Sequence, residues 1–136
     1  MTKKELTNYT KDLLIDSLTR YKGFIEQKIT KNSFESPTIK SDYLNQLELV
    51  KSLLGHLEKD SFIELDIHGK LIKHAISSTV YHNGVDAANF GTQIEGFEKE
   101  MFEKQKRCVD TFNEIFGYSG LEEFQKTMEE IRPYRL

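Results

Sequence analysis

The chain has 136 residues, the size of one ordinary domain, and its 19 basic and 22 acidic side chains give a formal charge of −3. That balance argues against a generic polyanion binder, because neutralising many phosphates requires clustered excess cations. A single cysteine excludes an internal disulfide framework and a cysteine-built zinc site. No apolar run approaches the ~20 residues of a membrane span, so we expect a cytoplasmic protein with no membrane partner.

The first predicted element is a helix from about Lys3 to Thr30. Its apolar residues recur at steps of three and four, the spacing of one helical face: Leu14, Leu18, Tyr21, Ile25 and Ile29. A second helix follows, with Ser36 as its N-cap and Pro37 in its first position, or with Ser41 as an alternative start. This helix should end near Lys59.

The segment after the second helix fits two structures. Ser61 and Glu64 have the spacing of a capping box, which predicts a helix. Apolar and acidic residues alternate over 63–67 as they do in a strand, and His68-Gly69 suits the turn of a small β-hairpin near residues 62–72. We favour the helix, because its surroundings are helical and an isolated hairpin is only marginally stable in water.

Three further helices are predicted in the rest of the chain. One covers Lys70 to Tyr81 and is ended by Asn83-Gly84. A long helix should run from about Ala87 to Phe116 and be capped by Gly117. A short last helix is closed before Pro133.

These elements predict an all-α fold, an elongated bundle of about five helices in a single domain, residues 1–136. Two helices would be roughly 40 Å long, comparable with the diameter of a compact globule of this size. An elongated bundle with apolar ends is expected to find a partner, so we predict a homo-oligomer, most simply a homodimer.

Metal chemistry finds little support in the sequence. Two metal ligands on one helix should lie three or four residues apart, and no pair of histidines does: His56, His68, His74 and His82. The paired Glu-x-x-His motifs of di-iron bundles are missing from the sequence. We therefore expect no metal and no cofactor, and histidines that are partly buried and hydrogen-bonded. A metal- or small-ligand-binding bundle remains an alternative.

Nucleophilic catalysis is likewise not indicated. Cys108 lies on the apolar stripe of the long predicted helix and is expected to be a buried, inert thiol. The charges of that helix form pairs four residues apart that are typical of a solvated face: Glu95–Lys99, Glu100–Lys104 and Glu103–Arg107. No phosphate-binding glycine motif is present in the sequence. We predict that the protein is not an enzyme.

Nucleic-acid binding is the other alternative. Lys104, Lys106 and Arg107 form a small basic cluster, but glutamates surround it. Residues 1–40 hold eight basic and five acidic side chains, so the first helix is positive while the remainder is negative. Ordinary scatter explains this asymmetry, unless the first helix docks on an acidic partner or on the acidic remainder of its own chain.

The remaining function class is a protein-protein interaction module, acting as an adaptor, regulator or inhibitor of another protein. The composition of the chain resembles that of proteins from AT-rich genomes. Phage and mobile-element accessory proteins from such genomes are often small, acidic and helical. The candidate partner-binding surface is the predicted loop from Asn83 to Gln93 with its neighbouring aromatics, although a plain polar connector fits equally well. The candidate residues are Tyr81, Asn83, Asp86, Asn89, Phe90 and Gln93.

Overall fold

The computed structural model describes residues 3–31, 36–90 and 96–117, together with Glu122, Gln125, Lys126 and Glu129. The described chain is mostly helical, which confirms the all-α prediction, and it adds a small two-stranded sheet. The predicted last helix lies largely outside the described residues. In chain order the elements are β1 (Lys3–Glu5), α1 (Asn8–Lys31), α2 (Pro37–Leu57), β2 (Phe62–Glu64), α3 (Leu65–Phe90) and α4 (Phe97–Phe116).

The sheet corrects two predictions. β1 pairs antiparallel with β2, so that Lys4 lies opposite Ile63, and neither segment is the helix that we predicted. The strand periodicity after Ser61 was therefore meaningful, but only up to Glu64. The partner of β2 is the N-terminal strand β1. The residues beyond His68, which would have formed the second strand of the hairpin, belong to α3. The pairing buries Ile63 completely, and local periodicity cannot reveal a partner so distant in sequence.

The buried face of α1 and the N-cap of α2 are those that the sequence predicts. Most of the predicted stripe of α1 is buried, from Leu14 to Ile25. Thr7 precedes α1, and its Oγ1 accepts a hydrogen bond from the Thr10 backbone N–H at 3.2 Å. Ser36 is the N-cap of α2, as predicted, with its Oγ accepting from the Ile39 N–H at 3.2 Å.

α3 is longer than predicted. It continues through Asn83-Gly84, which we expected to end it, and reaches Phe90. The penalty of about 1 kcal/mol for a glycine inside a helix is small beside the burial of the preceding turns, where residues 74–79 are all buried. Tertiary packing therefore overrides the local turn signal. As predicted, Gly117 caps α4, with a left-handed φ of 69° and its N–H bonded to the Asn113 carbonyl.

One apolar cluster joins the helices to β2. It includes Leu18, Val50, Ile63, Ile72 and Phe112, each fully buried. α3 contacts α1, α2 and α4, which explains why its middle is buried on all sides. Within the described residues, no helix combines the length and the apolarity that crossing a bilayer requires.

Candidate functional site

Tyr81 belongs to an aromatic stack that joins α3 to α1. The ring of His82 lies parallel to that of Phe24, with 4.1 Å between centroids and 22° between planes. Tyr81 meets His82 edge-on, at a centroid distance of 5.3 Å. Its side chain is nevertheless 41% exposed. The stack therefore presents an aromatic ring to solvent and supports it from one side.

A pocket of about 250 Å³ opens between α1, α3 and α4. Its lining is polar and charged around a small apolar part: Leu13, Asp16, Arg20, Thr79, Asn83, Lys104, Arg107 and Cys108. Three of these side chains are basic and one is acidic, so the pocket carries an excess of positive charge although the whole chain is acidic. Such a field favours an anionic ligand.

Two of the pocket's cations have carboxylate neighbours. Arg20 Nε lies 3.8 Å from Asp16 Oδ2, and Lys104 Nζ lies 3.4 Å from Glu100 Oε1. In each pair the two side chains are four residues apart, on α1 for the first pair and on α4 for the second, and all four are substantially exposed. Solvent screening keeps such pairs weak, so they leave both cations available to a ligand.

Arg107 is held differently. Its guanidinium lies over the Tyr9 ring, 4.4 Å from the centroid, and donates a long hydrogen bond of 3.4 Å to the Tyr9 carbonyl. Its Nε is buried without a hydrogen-bond partner among the described residues. The predicted ion pair with Glu103 does not form, because the side chain turns from the helix surface towards α1.

Cys108 borders the pocket as a buried thiol. It is 1% exposed, which confirms its predicted burial. Burial raises the pKa of this thiol to about 11, and the nearby guanidinium groups of Arg107 and Arg20 only partly oppose that rise. At neutral pH the group is therefore a protonated thiol and a poor nucleophile.

A second polar cluster lies deep between α1, α2 and α3. The Tyr21 hydroxyl donates to Gln46 Oε1 at 2.6 Å and lies 3.5 Å from His74 Nδ1. Burial lowers the pKa of His74 to about 4 and raises that of Tyr21 far above its usual range. Both groups are therefore neutral at physiological pH, and they join three helices through hydrogen bonds rather than charges.

A third cluster surrounds the small sheet. His56 Nε2 donates to the Phe62 carbonyl at 2.9 Å, and its ring meets that of Phe62 edge-on. Lys3 Nζ lies 4.2 Å from the centroid of the Phe62 ring. His68 is close by, and burial is the main cause of its lowered pKa. His56 is thus half-buried and hydrogen-bonded, as predicted. No group of three metal-ligating side chains assembles in the part of the chain that the structure describes.

The structure separates the predicted site residues. Tyr81 is exposed, whereas Asn83 is 4% exposed and lines the pocket. Asp86, Asn89 and Phe90 belong to the last turns of α3, so the predicted loop is helical up to Phe90. Gln93 lies outside the described residues.

The basic pocket was not predicted from the sequence. Lys104 and Arg107 were assigned to a solvated helix face and Arg20 was given no role, yet the packing of α1 against α4 brings the three together. One local signal was present: Arg107 and Cys108 are adjacent, and the apolar stripe places Cys108 in the core. An arginine next to a core position extends along the border of that core.

No protein-family model matches the chain, and neither a curated protein nor a solved structure shows significant similarity to it.

Proposed function

We propose that this chain is a non-enzymatic protein-protein interaction module, an adaptor, regulator or inhibitor, that holds its partner through the surface around Tyr81. The single observation that supports this proposal is the exposed Tyr81 ring, which is stacked against His82 and, through it, Phe24. Tyrosine is enriched among the residues that dominate binding energy. A ring already held in place loses less conformational entropy when a partner covers it.

The rest of the proposed surface follows Tyr81 along the same helix. Asp86, Asn89 and Phe90 lie on the last turns of α3, and Gln93 is retained from the sequence prediction. These residues lie on a helix where we had expected a loop, so the proposal becomes one of helix-end recognition. The proposed partner is another protein in the cytoplasm.

Self-association is part of the same proposal. Phe102 is 70% exposed on α4, with the charged side chains of Lys99, Glu103 and Lys106 also exposed on this helix. A large apolar ring in such surroundings is typical of the anchor of an interface. We expect a homodimer at high micromolar concentration by size-exclusion chromatography with light scattering, and a Phe102→Ser variant that is monomeric. A wild-type monomer under these conditions would contradict the proposal.

Affinity capture from the native host with matched variants tests the interaction. Tyr81→Ala and Leu44→Ala each truncate a side chain that is 41% exposed, one on the proposed surface and one on α2. We expect Tyr81→Ala, alone and combined with Asn89→Ala, to lose the captured protein at an unchanged melting temperature. Leu44→Ala should retain it. Equal capture by both variants would show that the Tyr81 surface is not the binding site.

Salt titration separates this proposal from nucleic-acid binding. A protein-interaction module should show no nucleic-acid affinity that falls steeply with added salt. A steep salt dependence with a defined oligonucleotide would instead favour the nucleic-acid-binding regulator.

A further inference from the structure

We propose that the pocket between α1, α3 and α4 is a binding site for a small organic oxyanion, a carboxylate or a phosphate ester. This inference goes beyond the proposed interaction function, since it rests on the pocket and not on the Tyr81 surface. Its basis is the convergence of Arg20, Lys104 and Arg107 from two helices on one concave space.

Charge is the first part of the argument. The pocket's only lining carboxylate, within the described residues, is that of Asp16, and it lies beside Arg20. Lys104 has its carboxylate neighbour, Glu100, outside the lining. The lining side chains therefore carry a net charge of +2, and an anion that enters the pocket meets cations from both α1 and α4.

Arg107 is the second part. Its Nε is a buried donor with no partner in the described ranges, and its guanidinium is held over the face of Tyr9. A buried donor is normally hydrogen-bonded, so one that lacks a protein acceptor calls for another. A planar guanidinium presents two parallel N–H groups to a carboxylate or a phosphate. Because Tyr9 fixes this plane, the donors are oriented before the ligand arrives.

The walls define the size and the character of the ligand. About 250 Å³ accommodates a molecule of a few carbon atoms and not a folded segment of a partner. Leu13 and Cys108 supply an apolar part for the carbon atoms of the ligand. Asn83 and Thr79 supply polar groups, and the Thr79 hydroxyl, which donates to the Ala75 carbonyl at 3.2 Å, still offers lone pairs as an acceptor. A hydroxylated or amidated small anion fits this lining.

Isothermal titration calorimetry with inorganic phosphate and with succinate, at constant ionic strength, tests the site. We expect saturable one-to-one binding of at least one probe to the full-length protein. Phosphate alone would assign phosphate esters, succinate alone would assign carboxylates, and binding of both would assign the shared oxyanion chemistry. No saturable heat with either probe would overturn the proposal.

Two variants that each remove one positive charge distinguish binding in the pocket from nonspecific attraction by the net charge of the protein. Arg107→Gln removes the buried donor, and Lys106→Gln removes the neighbouring exposed cation on α4. We expect Arg107→Gln to weaken binding about tenfold or more, and Lys106→Gln to leave it almost unchanged. Equal effects of the two variants would show binding to net charge and would overturn the proposal.

Lys104→Gln provides a second variant in case Arg107→Gln fails to fold. The Lys104 side chain is well exposed, so its loss leaves the core intact. It too should weaken the binding of the probe that the wild type binds. If Arg107→Gln does not fold and Lys104→Gln binds the probe with unchanged affinity, the proposed site is wrong.

Discussion

The hydroxyl of Tyr21 lies 2.6 Å from the side-chain oxygen of Gln46, in the buried contact between α1 and α2. His74 of α3 lies 3.5 Å from the same hydroxyl, so one phenol oxygen connects three helices. The surrounding core is largely apolar, and there the Tyr21 hydroxyl and Gln46 Oε1 satisfy each other.

Replacing Tyr21 by Phe should destabilise the fold. The change removes one oxygen atom and leaves Gln46 Oε1 without its donor, which costs about 1–3 kcal/mol in the free energy of unfolding. Urea denaturation followed by circular dichroism measures this difference. Tyr9→Phe is the matched control, because Tyr9 is exposed and its ring contact with Arg107 survives the change. Similar losses in both variants would contradict the role of the buried bond.

Acid should weaken the fold through His74. Its pKa is about 4 in the folded chain, lowered first by burial and then by Lys70, while Asp42 acts in the opposite direction. Between its ordinary pKa near 6.5 and about 4, the unfolded chain binds more protons than the folded one. The stabilising contribution of neutral His74 is therefore complete above the ordinary pKa and is lost as the pH falls towards 4.

Urea midpoints from pH 7 to pH 4 measure this loss. The free energy of unfolding should fall by up to about 1.4 kcal/mol per pH unit from this one group. His68, whose pKa is also lowered, adds a smaller effect in the same direction. A His74→Gln variant should show a flatter profile. An unchanged slope in that variant would assign the acid sensitivity to other groups.

Cys108 should resist alkylation until the protein unfolds. Its thiol is buried and its pKa is about 11, so little thiolate is present or accessible at pH 8. We expect modification by iodoacetamide, followed by mass spectrometry, to be at least about tenfold slower in buffer than in urea. Equal rates in the two solvents would show that the helices around the thiol open freely.

The start of α2 depends on the Ser36 cap. Ser36→Ala removes the acceptor for the Ile39 N–H and should lower the free energy of unfolding by about 1 kcal/mol. Ser41, the other start that the sequence allowed, is exposed within the helix. Ser41→Ala should therefore be neutral or slightly stabilising, since alanine is the better helix former. If Ser41→Ala lowered the free energy of unfolding more than Ser36→Ala, Ser41 and not Ser36 would be the N-cap of α2.

Helical faces and caps could be read from the sequence because they are local. The stripe from Leu14 to Ile25, the Ser36-Pro37 start and the Gly117 cap each depend on residues within a few positions of one another. The repeat of three and four residues and the cap chemistry reflect the geometry of the helix itself. These features therefore do not depend on which other elements the helix packs against.

Other features depend on residues that are distant in sequence. Nothing within β1 signals that it pairs with β2, and Asn83-Gly84 resembles a turn until the burial of α3 is known. Likewise, the spacing of four residues predicts an ion pair between Arg107 and Glu103, whereas the fold places Arg107 on the Tyr9 ring of α1. Of the candidate site, Tyr81 could be chosen from the sequence, while the basic pocket required the packing of three helices.

The pairing of β1 with β2 also has a consequence for the order of folding. It joins segments separated by about sixty residues, and its three residue pairs gain too little to offset the entropy of closing that loop on their own. The sheet should therefore assemble after the barrier, when the helices are already packed. Ile63→Val should then accelerate unfolding and leave refolding unchanged in stopped-flow measurements, whereas slower refolding would place the sheet in the transition state. On this account the residues of β1 are among the last to find their native neighbours.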